Sequence, residues 1–288
     1  MSFLAARSIA PAARAWMRHA SGARVLHAFE RACNLINADG DVLSLVALEA
    51  GDGPFTVVVP LADSLALSDL LDTDSPIAVD GDRLSAGALV VDTATAVLWS
   101  PRPRWERARE PLTSHGDLVS ALADLLASNP GLTGLTPLSP QSIEDLCAGV
   151  ATGDASSCRS AARRLAGLGG GLTPAGDDFL VGAMHAAWLA HPPREAALLS
   201  EVIASAAAPL TTSLSAAWLR AAARGEAAAP WHALVEALAA CDETALLAAA
   251  RRILSIGHTS GADALAGCVA ALAASRLDEA RRVAQTML

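Results

Sequence analysis

Residues 167–185, Gly-Leu-Gly-Gly-Gly-Leu-Thr-Pro-Ala-Gly-Asp-Asp-Phe-Leu-Val-Gly-Ala-Met-His, gather more chemically useful groups than any other stretch of the chain. Gly167, Gly169, Gly170 and Gly171 allow positive φ and close backbone approach to a ligand. Thr173 suits an N-cap and Pro174 the first helical position, so the spacing predicts a helix start there. Mobile amides leading into a helix N-terminus make an anion site. Asp177 and Asp178 then fall in the first turns, where carboxylates can accept from an NH2 group or hold a divalent cation such as Mg. A plain loop and helix start, with acids complementing the macrodipole, fits the same residues. His185 lies seven residues after Asp178 and shares its helical face, as a core residue or as part of the site lining.

A second stretch, Gly257-His258-Thr259-Ser260-Gly261-Ala262-Asp263-Ala-Leu-Ala-Gly267, repeats the order of the first: a Gly/Thr/Ser turn, then Asp four residues before Gly. Ser260 and Asp263 have capping-box spacing, which predicts another helix start. Small residues at helical spacing let helices approach closely. The two helices are therefore expected to pack together, with their N-termini converging on one small anionic ligand. The amides of Gly169, Gly170 and Gly171 and the turn of Thr259 and Ser260 would meet its anionic end. Asp177 or Asp178 would meet its NH2 end, and both are candidate catalytic residues; Asp263 is a substrate-binding candidate that the capping box explains equally well. His258 fits a general acid or a residue bonded to backbone. The hydroxyls of Thr211, Thr212 and Ser215 fit helix capping and ligand bonding equally well.

The elements that carry these residues differ along the chain. Residues 1–105 read as an N-terminal arm and a small, mostly antiparallel, barrel-like β domain. Runs at 25–29, 42–48, 56–60, 77–79 and 89–98 are separated by Asp39-Gly40-Asp41, Gly51-Asp52-Gly53 and Asp80-Gly81-Asp82 turns. Asn34 and Asn37 read as turn formers or ligand contacts. Residues 106–288 read as an all-α domain that carries the Gly-rich Asp-Asp motif, after a Pro/Arg linker ending at Trp105. The fold class expected is α+β.

Composition limits the function. The chain of 288 residues has net charge −9 and no basic run, which argues against nucleic acid as a partner. Its 21 basic residues are all arginine, which excludes a Schiff-base or P-loop lysine. Five scattered cysteines without CxxC spacing read as reduced thiols of a cytoplasmic protein. No uninterrupted apolar run is long enough for a bilayer, so no membrane partner is expected. The first 29 residues carry four arginines and no acid. Their composition is that of a transit peptide, but the segment is expected to be an ordinary N-terminal helix or arm.

The motif at 167–182, together with Thr211-Thr212-x-x-Ser215 and Gly257-His-Thr-Ser-Gly-x-Asp263-x-Leu-x-Gly267, resembles the third-subunit family of oxamate carbamoyltransferase, once a family of unknown function. The resemblance spans most of the chain, including Phe29 and Asn34-Leu35. Ala175 stands where the family pattern carries serine. The resemblance implies a role in purine (allantoin) catabolism. In that reaction oxalurate and phosphate yield oxamate and carbamoyl phosphate. It also implies two partner subunits, one related to succinyl-CoA synthetases. The alternatives are a non-catalytic assembly or ligand-sensing subunit, and a standalone metal-dependent hydrolase of a small carboxylic acid.

Overall fold

The computed structural model describes the backbone of residues 2–286 and the side chains of residues 2–275. The chain divides into two compact units, Met1–Pro101 and Arg102–Leu288.

The first unit is built of strands β1 (Ser2–Ala5), β2 (Ser8–Ile9), β3 (Arg24–Ala28), β4 (Ala32–Ile36), β5 (Val42–Ala47), β6 (Thr56–Val59), β7 (Ile77–Asp80), β8 (Arg83–Ala86), β9 (Leu89–Asp92) and β10 (Val97–Leu98). Helices α1 (Pro11–Arg18) and α2 (Leu67–Leu70) interrupt them. The strands make two sheets, ordered β1-β9-β8-β7 and β10-β2-β6-β5-β4-β3. Most pairs are antiparallel, while β1–β9, β10–β2 and β5–β6 are parallel. Neither strand order closes on itself, so two open sheets replace the expected barrel. Parallel neighbours need crossovers instead of tight hairpins, and those crossovers divide the strands between the sheets.

The arginine-rich start is not a free arm. β1 lies beside β9, β2 sits between β10 and β6, and α1 buries Ala13, Trp16 and Met17. Asn37 turns the chain, accepting the Asp41 N–H at 2.8 Å. Asn34 instead lies within β4 and accepts from the Ser44 hydroxyl directly opposite on β5.

The second unit comprises α3 (Arg109–Ser114), α4 (Gly116–Ala127), α5 (Pro140–Thr152), α6 (Ala155–Leu165), α7 (Ala175–Ala190), α8 (Pro193–Ala207), α9 (Ser213–Ala223), α10 (Ala229–Ala240), α11 (Glu243–Leu254) and α12 (Ser260–Thr286). α7 is its axis, buried at every position from Ala175 to Leu189. A helix apolar all round belongs inside a bundle. Trp105, expected in a solvated linker, is 2% exposed in this core and donates from its indole to the Gly225 carbonyl at 2.8 Å.

α5–α6–α7 and α10–α11–α12 repeat one geometry. α5 ends at left-handed Gly153 and α10 at left-handed Cys241; the next residues, Asp154 and Asp242, cap α6 and α11 with their side chains. Gly176 donates its N–H to the Leu168 carbonyl, and Gly261 to that of Ile256. A Cβ on Gly176 would overlap the Leu165 carbonyl, and one on Gly261 that of Ile253. The two copies then embrace. Gly182 packs on the Ala264 carbonyl and Gly267 on the Phe179 carbonyl, each the residue after the other copy's aspartate. The shared Asp-x-x-x-Gly pattern is thus a reciprocal contact that brings α7 and α12 backbone to backbone.

Candidate functional site

The glycine loop between α6 and α7 is held from below. Asp177 accepts the Gly167 N–H at 2.9 Å with one oxygen and the Thr211 hydroxyl with the other. Ser215 stands beside the same carboxyl, whose pKa burial raises while these bonds pull it down. Thr212 donates to the Leu172 carbonyl at 2.7 Å and accepts the Ser215 N–H, capping α9. The Thr211 and Thr212 hydroxyls therefore anchor the loop, with Ser215 beside them. Above this anchor Gly169, Gly170 and Gly171 are exposed. A side chain at Gly170 or Gly171 would meet nothing within 4 Å.

Helix α7 begins one residue later than expected. Pro174 has ψ 142° and occupies the cap position, so the Thr173 hydroxyl does not cap it. It reaches across to Ser260 instead, at 2.7 Å between the hydroxyl oxygens. That bond joins the starts of α7 and α12. Nor does the Ser260–Asp263 box form. Asp263, fully buried, accepts the Gly134 N–H at 2.8 Å, with Thr259 beside it. Burial raises its pKa, and the bonds from Gly134 and Thr259 oppose the rise. His258 is exposed on the turn.

Asp178 behaves differently from its neighbour. With Thr173 and Ser260 it forms the polar end of a cavity of about 170 Å³. The walls are Val181, Trp218, Trp231, Ile256 and Ala264, and His185 lies seven residues along the same helix. Asp178 is 8% exposed, and its Oδ2 has no hydrogen-bond partner. Burial pushes its pKa up to about 8. The Ser260 and Thr173 hydroxyls oppose the shift, and Asp263 and Asp177 add to it. The carboxyl is therefore largely protonated near pH 7, acting as both donor and acceptor. His185 is stacked against Trp105 at 5.2 Å and edge-on to Trp231 at 4.5 Å. Burial pushes it down to about 3, so the ring is neutral.

The cavity lining contains no arginine. A fully ionised phosphate buried there would have no counter-charge, whereas a neutral amide would find acceptors and aromatic faces. A divalent cation is poorly served. Both Asp177 oxygens are engaged, and among the described residues no group of three or more His, Cys, Asp or Glu side chains is placed to hold a metal ion.

The sequence pattern thus located both helix starts and Asp178. It missed Trp218 and Trp231, which no local motif marks, and Gly134. A signal for Gly134 was present, since Gly-Leu-Thr-Pro occurs at 134–137 as well as at 171–174.

Two family models match the chain. A family model described as oxamate carbamoyltransferase subunit AllH matches residues 165–272, from the end of α6 into α12 and so over both aspartates. A second, the AllH family N-terminal domain, matches residues 5–98, the stranded unit. No solved structure matches the chain. Among the described residues no helix is long and apolar enough to cross a membrane. The chain belongs to the AllH family of oxamate carbamoyltransferase subunits, and so to a multisubunit carbamoyltransferase.

Proposed function

We propose that the cavity at Asp178 receives the carbamoyl or amide end of a small acid, and that its charged end faces the open glycine loop. Oxalurate and oxamate are such molecules, and carbamoyl phosphate has the same pairing of an NH2 end with an anion. The observation that carries this reading is the unpartnered, buried oxygen of Asp178 beside two hydroxyls in a cavity without a cation. The exposed amides of Gly169–Gly171 suit carboxylate or phosphate oxygens.

In the direction that makes carbamoyl phosphate, a phosphate oxygen attacks the ureido carbonyl carbon of oxalurate. The bond from that carbon to the oxamate nitrogen breaks, and the nitrogen takes a proton. Asp178, held protonated by burial, supplies it, and the proton lost from phosphate restores the acid. This gives the acid role to Asp178 and not to the exposed His258. Asp177, Thr211, Thr212 and Ser215 position the loop, while Thr173, Thr259, Ser260 and Asp263 join the helix starts. A divalent cation would enter only with the phosphate.

The family resemblance extends this reading to allantoin breakdown in the cytoplasm, with two partner subunits, one like a succinyl-CoA synthetase. In a second reading the tip at Gly169–Gly171 enters a partner's active site; its exposure, and the open space beside Gly170 and Gly171, support it. Turnover of the reconstituted complex carrying Asp178→Asn tests the first reading. A loss on the order of 10²-fold or more is expected, in the range of a general acid's contribution. Unchanged turnover and unchanged oxalurate affinity would overturn it.

A further inference from the structure

The duplicated geometry places Asp178 and Asp263 at equivalent points of α7 and α12, yet their surroundings are opposite. Around Asp263 the space is filled by the chain itself. Gly134, from the segment between α4 and α5, donates its N–H to Asp263. A Cβ built on Gly134 would lie 3.3 Å from Ala175 Cβ, from Asp263 Oδ2 and from Thr259 Oγ1. In the other copy, Ser260 corresponds to Ala175 and Asp178 to Asp263, and both line the open cavity.

We propose that the helical unit holds two copies of one ligand site, and that the Gly134 peptide is a permanent occupant of the second. In the open copy the ligand places an amide N–H on Asp178, where Gly134 places its own on Asp263. This deepens the function proposed above and rests on it only for the identity of the complete substrate. The ligand class it names is a primary or secondary amide or ureide, bound as a neutral group.

Three features support the assignment. The Gly134 peptide is neutral, and so is the lining of the open copy once Asp178 is protonated. The open copy's lining holds no arginine to receive an anion, and the atoms nearest a Cβ on Gly134 belong to a methyl, a carboxyl and a hydroxyl. Ser260 places a hydroxyl where the filled copy has the Ala175 methyl, which offers a free ligand one more polar partner than the tethered peptide has.

The glycine at 134 is explained as well. A side chain there would press on Ala175 and Thr259 at a separation tighter than ordinary van der Waals contact. A backbone with no Cβ is the smallest group that brings an N–H to a buried carboxyl.

A bare amide probe tests this without any substrate. The full chain would be titrated with acetamide and with N,N-dimethylacetamide, following the fluorescence of Trp218 and Trp231 against a Trp218→Phe, Trp231→Phe double variant that removes their signal. Acetamide should give a saturable change, at least roughly tenfold weaker in Asp178→Ala, and the dimethyl amide should give none. A response equal for both amides, absent for both, or unaltered by Asp178→Ala would overturn the inference. If acetamide behaves as expected but oxamate fails to compete with it, the proposed substrate falls while the duplicated amide site stands.

Discussion

The two copies of the helical unit show how one scaffold treats the same residue in two ways. Each presents an aspartate near the start of a long helix, after a glycine that packs on the preceding helix and before a glycine that packs on the other copy. Each carboxyl keeps one buried oxygen, Oδ2, without a partner; Asp263 gives its Oδ1 to the chain's own Gly134 amide, whereas Asp178 faces a cavity. A buried polar group left without a partner costs roughly 1–3 kcal/mol. Both aspartates carry that cost at Oδ2, but only Asp178 has open space beside it for a ligand to relieve it. The difference separates the supporting framework from the place where a ligand completes it.

The largest expected effect comes from what the copies share. Gly182→Ala or Gly267→Ala sets a methyl against a backbone carbonyl of the facing helix, and neither α7 nor α12 can retreat without opening the core. Each should cost about 3 kcal/mol or more in denaturant melts. A loss below about 1 kcal/mol would mean that the reciprocal contact does not hold the copies together.

Next come the aspartates, where the copies should respond with opposite signs. Asp263→Ala leaves the Gly134 amide without its acceptor and should destabilise by about 1–3 kcal/mol. Asp178→Asn removes an uncompensated buried acid and should stabilise the chain at pH 8 by about 1 kcal/mol or more.

The pH dependence sharpens the contrast. Asp178 is raised from 3.8 to about 8, so its contribution is fully present below 3.8 and is lost as pH rises through 8. Asp177 and Asp263, also raised, act in the same direction. His185 is lowered from 6.5 to about 3, so its contribution is present above 6.5 and is lost as pH falls toward 3. Between pH 4 and 6.5 these effects oppose one another; above 6.5 the His185 contribution is complete, and the loss from Asp178 continues to pH 8. Urea melts from pH 6.5 to 8 should show stability falling in the wild type and falling less steeply in Asp178→Asn.

The smallest effect belongs to the open loop. Gly170→Ala meets no neighbour and should change stability by less than about 0.5 kcal/mol. Any larger loss of turnover would then locate a ligand or a partner at the loop tip.

Much of this framework was legible because its signals are local. Proline pairs, glycine turns and the Asp-x-x-x-Gly repeat marked the helix starts, and their similarity pointed to a packed pair. Other features depend on distant residues. β2 and β10 are two-residue strands whose place is set by a parallel partner far along the chain, so no periodicity reveals them. Thr173 looked like a cap and serves as a bridge, because Ser260 arrives from 87 residues away. Asp177 and Asp178 are adjacent and alike in type. Their roles diverge because successive helical residues face different neighbours: Gly167 and Thr211 in one case, a tryptophan-walled cavity in the other.

The most direct test is a crystal structure of the chain, assembled with its partner subunits, after soaking with oxamate. The ligand should lie between Trp218 and Trp231, with its amide nitrogen within hydrogen-bonding distance of Asp178 and its carboxylate toward Gly169–Gly171. Oxamate bound elsewhere in the assembly, with the Asp178 cavity holding only water, would contradict the account.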